Sequence, residues 1–232
     1  MPYPFAHPAA VLPLARPLGR FAVPSALAIG SMAPDFWYLV PLLERADSHS
    51  LAGLAWFCLP AGLLVYALFH LLLKQPLVAL VSPRLGRFTP ASLPDVPWLA
   101  VMVSLMVGAL THVAWDALTH SYDDAAQRHN WLQHASTALG TMVLAWWSWR
   151  KLRLVPAAPP GPLSPLARAS VVLVLLGAGA LAACITAEPP AADLRALRQF
   201  LRTGGIAAMQ ALSVALLVYC LVFQRKMLRR AA

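Results

Sequence analysis

Apolar and polar positions in this chain alternate in long blocks, not with the short period of an amphipathic helix or a half-buried strand. Four stretches have no Asp, Glu, Lys or Arg: Leu51 to Leu73, Trp131 to Trp149, Ala169 to Ala187 and Gly204 to Phe223. At 1.5 Å of rise per residue, about twenty residues cover the hydrocarbon thickness of a bilayer, so each block is long enough to cross. Pro97 to Leu118 has the same length but carries His112 and Asp116, and Phe21 to Leu43 is interrupted by Pro34 and Asp35. The pattern predicts an all-α, polytopic transmembrane helical bundle of about five or six helices. At the N-terminus, a helical Ala6 to Leu14 followed by a turn over Arg16 to Pro24 would make a re-entrant hairpin.

Between the blocks, Ser82 to Pro97 and Pro156 to Pro165 are proline-rich and predict extended or irregular linkers. The chain therefore reads as a membrane helical domain at 1–155, a linker at 156–166 and a two-helix membrane tail at 167–232. No internal repeat is evident, which weighs against an inverted-repeat transporter.

Composition agrees with this reading: 59% of the residues are hydrophobic and 12% charged. The formal charge of +9 would raise nucleic acid as a partner in a soluble domain. Here the basic residues lie between apolar blocks, no nucleic-acid motif accompanies them, and nucleic-acid binding is excluded as their use. Lys74, Arg84 and Arg87, then Arg150, Lys151 and Arg153, then Arg225, Lys226, Arg229 and Arg230 mark loops on one side. By the positive-inside rule that side is the cytoplasm, with the C-terminus on it. Arg195, Arg198 and Arg202 run against the rule. The expected location is a membrane, with lipid as the first partner. Cys58, Cys184 and Cys220 lie singly in apolar runs, without metal spacing, and read as small buried hydrophobes. Arg20 to Ala33 imitates a signal peptide, but Met1 to Arg16 is not a charged leader and Pro34 would follow the cut.

Ionisable groups inside a bilayer are costly, and their presence points to function. Thr111 to His120 places His112, Asp116 and His120 at i, i+4 and i+8, on one stripe of one helix. Asp35 stands eight residues before the end of its own block and so falls at nearly the depth of His112. His49 and His134 fall in the same outer layer, and the hairpin would return His7 to the level of Asp35. His70, four residues from Lys74, is about 10 Å too deep for that cluster. Neutral imidazoles with carboxylates are a donor set suited to zinc and related divalent ions. The plainer alternative is that Asp116 and His112 satisfy each other and lock helix packing.

The motifs F-A-H-P, G-S-M-A-P-D-F, H-S-L, F-H, G-A-L-T-H-V-A-W-D-A-L-T-H and L-Q-H-A-S, over residues 1 to 155, together resemble the bacterial membrane family of domain of unknown function 4184. More distantly, the order His, P-D, H-S and H-x-x-x-D-x-x-T is similar to the membrane-bound metal-dependent hydrolases, and further off to the helical zinc-dependent phospholipase C fold. That likeness implies His7, Asp35, His49, His112 and Asp116 as metal ligands. The chain departs from the hydrolase pattern just after P-D, where Phe36 and Trp37 stand in place of a second acidic residue, and this counts against a dinuclear site.

The leading expectation is a metal-dependent hydrolase with a site open to the outer face, acting on a lipid-linked or phosphoester substrate. Its metal, zinc by preference, would be held among His7, Asp35, His49, His112, Asp116 and His134. Asp116 or His120 would take the proton from water. The alternative class is a noncatalytic scaffold, or a small ion or proton carrier, with a structural His/Asp cluster.

Overall fold

The computed structural model describes residues 4–39, 44–81, 92–119, 130–156, 162–186 and 194–231. All regular structure among them is helical. We label the main helices α1 (Pro24–Gly30), α2 (Leu51–Val81), α3 (Trp98–Thr119), α4 (Asn130–Arg153), α5 (Pro165–Thr186) and α6 (Leu194–Ala231). Among the described residues, four segments are long and apolar enough to cross a membrane: Leu51–Val81, Trp98–Thr119, Pro165–Thr186 and Gln199–Arg229. The polar and tryptophan-rich α4 has the length but not the mean hydropathy, so it stands outside that set.

The block from Phe21 to Leu43 is not one helix. Pro24 opens α1, Ser31 closes it, and a 3-10 helix follows over Ala33–Leu39. Pro34 has no N–H to give the carbonyl four residues back, so the helix cannot run through. That break turns Asp35 inward. Residues 4–21 likewise advance in short α and 3-10 turns, interrupted at Pro8, Pro13 and Pro17 and reversed at Gly19, whose φ of 52° suits a residue without a Cβ. In α2, π-helical turns occupy Leu54–Cys58 and Phe69–Leu73. Each contains the carbonyl, Trp56 or Leu72, that Pro60 or Pro76 leaves without its α-helical donor.

By its contacts the chain divides into two compact units, Met1–Leu68 with Leu93–Val155, and Phe69–Ser92 with Pro156–Ala232. In the first, α1 lies directly on α3. A Cβ at Gly30 would run into the Leu105 backbone, and one at Gly108 into the Leu27 carbonyl and Ser31 amide. Ser104 fastens one end of this contact, accepting from Val23 N at 2.9 Å and donating to Phe21 O at 2.7 Å. Beneath Asp35, Ala33, Leu54, Phe57, Cys58 and Ala109 form an apolar cluster that Phe36 and Trp37 pack against. In the second unit, α5 and α6 pair as a hairpin, with buried Gly179 against Ala208. There Gln224 donates to the Leu72 carbonyl at 3.3 Å, the group deprived by Pro76, and the Tyr219 hydroxyl donates to Pro76 O at 3.1 Å.

Candidate metal centre

Four separate segments of the first unit supply the polar cluster. α3 carries His112 and Asp116 on one face, four residues apart. The 3-10 helix after α1 carries Asp35, and the N-terminal turns carry His7. His49 closes a short helix, Arg45–Ser48, which is held by a reciprocal capping pair between Glu44 and Asp47. Ser50 then caps the start of α2 by accepting from Gly53 N, and Gly53 sits where a Cβ would strike the Asp47 carbonyl. The turn bearing His49 is thus clamped to the helix that follows it.

The ring nitrogens and carboxylate oxygens of these side chains face one small volume. His112 Nε2 lies 3.8 Å from Asp35 Oδ1 and 3.8 Å from Asp116 Oδ2. His49 Nε2 lies 3.7 Å from Asp35 Oδ1 and 3.4 Å from Asp116 Oδ2. His7 Nε2 is 3.9 Å from Asp116 Oδ1, and its ring stacks on His112 with centroids 3.7 Å apart. These separations are too long for good hydrogen bonds. They are close to the edge of about 3.3–3.5 Å that a tetrahedral ion with 2.0–2.1 Å bonds would impose on its ligands.

The outer nitrogens decide what the inner ones can do. His112 Nδ1 is 2.7 Å from the Ser31 carbonyl, which can only accept, so the proton belongs on Nδ1 and Nε2 presents a lone pair. His49 Nδ1 has two neighbours, the Ser48 hydroxyl at 2.9 Å and the Arg45 carbonyl at 3.1 Å, and donation to the carbonyl would leave its Nε2 with a lone pair as in His112. His112 Nε2, His49 Nε2 and Asp35 Oδ1 are buried with no hydrogen-bond partner among the described residues. Buried acceptors left so are expensive, and three of them in one cluster are a deficit that a cation would fill.

Charge points the same way. The Asp35 and Asp116 side chains are each 3% exposed, and the guanidinium beside them is that of Arg45, whose Nη2 bonds Asp116 Oδ2 at 2.5 Å. Among the described residues one guanidinium faces these two buried carboxyl groups, and a further positive charge would be needed to hold both ionised. Asp35 lies outside the four crossing segments, and its carboxyl is pushed up to about 7, first by burial and then by the Asp116 carboxylate, against the lowering influence of Arg45.

Of the sequence candidates, His7, Asp35, His49, His112 and Asp116 come together, and two groups of three, His7 with Asp35 and His112, and His49 with His112 and Asp116, have geometry that could hold a metal ion. His134 does not join them: it is exposed on α4, because Gln133 and not His134 takes the buried position on that turn. His120 and His129 lie outside the described residues. His70 is buried in the second unit with its ring edge-on to Phe69. Phe36 and Trp37, standing where the hydrolase pattern has its second acidic residue, face the apolar cluster, so no carboxylate comes from there. Sequence reasoning missed Arg45. Its signal was a cation four residues before His49, a spacing that shares a helix face.

Among known proteins, the model of a domain of unknown function, DUF4184, matches residues 1–221. No curated protein and no solved structure matches the chain.

Proposed function

Taking as premise that the chain belongs to the DUF4184 family, we propose that its His/Asp cluster holds one divalent metal ion, zinc by donor type, and that the site hydrolyses a phosphoester at the membrane. The observation that carries this reading is the meeting of ligand atoms from separate segments in two overlapping sets, His7 with Asp35 and His112, and His49 with His112 and Asp116, where His49 Nε2, His112 Nε2 and Asp35 Oδ1 are buried without hydrogen-bond partners among the described residues. A bound divalent ion at such a site supplies acidified water and polarises a phosphoryl oxygen. The Ser31 carbonyl holds His112 in the tautomer that offers a lone pair, the Arg45 carbonyl can do the same for His49, and Asp35 adds a carboxyl oxygen. Asp116, paired with Arg45, is a further donor or the acceptor of the proton that water gives up. Arg45 is the group for a phosphate, since its planar fork matches phosphate oxygens and its side chain is 25% exposed where the others are buried. Loop charge would set the C-terminus in the cytoplasm of a bacterium and the site toward the opposite face.

The Arg45–Asp116 ion pair also favours a second reading, a noncatalytic cluster that merely locks the helices. Metal content separates the two. The protein, purified in detergent, stripped with chelator, reloaded with zinc and desalted, should retain about one ion per chain, and the His112→Ala and Asp35→Asn variants less than about a tenth of that. Equal zinc in wild type and both variants would remove the metal site and leave the structural cluster.

A further inference from the structure

α4 places Ser136, Leu139, Gly140 and Val143 at i, i+3, i+4 and i+7, one stripe along the helix. Facing it are the small side chains Ala6, Ala9 and Ala10 of the N-terminal turns, with Trp115 of α3 beside them. Together they line a groove of about 190 Å³. The close approach of Gly140 to Ala6, where a Cβ would meet the Ala6 carbonyl, holds its walls together. Ser136 adds little polarity, because its hydroxyl donates to the Gln133 carbonyl at 3.0 Å. Among the described residues, the one ionisable side chain in the lining is His7, and His7 belongs to the polar cluster, stacked on His112 and 3.9 Å from Asp116.

A slot of hydrocarbon character that shares a wall with a buried charged site is unusual, since the usual reason to bury charge is to seal it from lipid. The groove is too small for a helix, which is 10–12 Å across with its side chains, and suits a single extended chain. Within the cluster that His7 joins to the groove, Arg45, paired with Asp116, offers a cation that can meet an anionic head group. We infer that the groove holds one hydrocarbon tail of a lipid whose net-anionic phosphate head lies at the cluster, in preference to a zwitterionic head whose own cation competes with Arg45. The substrate would then enter sideways from the bilayer, past His7. This rests on the metal reading for the head group, and on the groove alone for the tail.

The test is photolabelling in nanodiscs of phosphatidylcholine containing a small fraction of phosphatidic acid with a diazirine at the end of one acyl chain, with zinc measured in the same discs. The control probe is phosphatidylcholine with the same diazirine tail. Labelling at Ala9, Ala10, Leu139 and Val143 should favour phosphatidic acid by about tenfold. On α5, where Leu173 and Val174 are exposed, the two probes should label alike, as ordinary surrounding lipid does. Ala10→Trp, which fills the groove, should lower groove labelling about tenfold and leave zinc unchanged. Leu139→Ala, which widens it, should keep the preference. Equal labelling by the two probes in wild type, or undiminished labelling in a zinc-loaded Ala10→Trp, overturns the inference. Groove preference without zinc would mean that the metal reading has failed and the tail site stands. Zinc without groove preference would mean the reverse.

Discussion

α3 and α5 are both 22 residues long and both apolar enough to cross a membrane, yet they are used in opposite ways. In α3, 39% of the spanning window is buried inside the protein, and one face carries Ser104, Gly108, His112 and Asp116 at successive intervals of four residues. In α5, 6% is buried, and Leu173, Val174, Leu176 and Leu181 stand exposed. The two differ modestly in mean hydropathy, 1.7 against 2.3, and the lower value of α3 is the trace of the polar face it turns inward. A helix that carries small and ionisable residues at a four-residue spacing is built to meet other protein. One that is apolar all round is built to meet lipid.

Substitutions that ignore the difference should break α3 first. Gly108→Leu drives a side chain into the Leu27 carbonyl and Ser31 amide. It should cost about 3 kcal/mol or more, seen in detergent as a fall of roughly 10 °C in the unfolding midpoint. It should also displace the Ser31 carbonyl that orients His112, so metal retention falls with it. Arg45→Gln comes next. It leaves the Asp116 carboxylate buried without its guanidinium, and because the Arg45 side chain is 25% exposed the cost is set near 1–2 kcal/mol. Added zinc should restore much of that loss, since a second cation then faces the same oxygens. A variant as stable as wild type without zinc would show that Asp116 does not depend on Arg45. Gly177→Leu in α5 should do almost nothing, within about 0.5 kcal/mol, because a Cβ there has no neighbour within 4 Å. If Gly177→Leu proved as damaging as Gly108→Leu, the contrast between the helices would be lost.

Much of this was legible in the sequence. The crossing helices announce themselves by length and apolarity, and His112 and Asp116 share a face by spacing alone. Counting residues from the ends of two blocks put Asp35 level with His112, and the two now stand 3.8 Å apart. Depth along a helix is a one-dimensional quantity that sequence supplies directly. Azimuth is not, where the periodic signal is weak. His134 was judged by depth and points away from the cluster, because α4 turns its Gln133 inward. Likewise α4 met the length requirement in the sequence, while its tryptophans and polar residues keep its mean hydropathy below that of the four crossing segments. Arg45 was missed for a different reason. A charged residue in a short polar turn ordinarily faces water, and only the clamping of that turn by the Glu44–Asp47 caps and by Gly53 sends its guanidinium onto Asp116.

Whether the cluster around His112 closes on an ion is tested most directly by X-ray absorption at the zinc edge on the reloaded, desalted protein. The account predicts a nitrogen and oxygen shell at about 2.0–2.1 Å with the outer scattering of at least two imidazoles, lost in His112→Ala. A sulfur shell near 2.3 Å, or an imidazole signal undiminished in that variant, would contradict it.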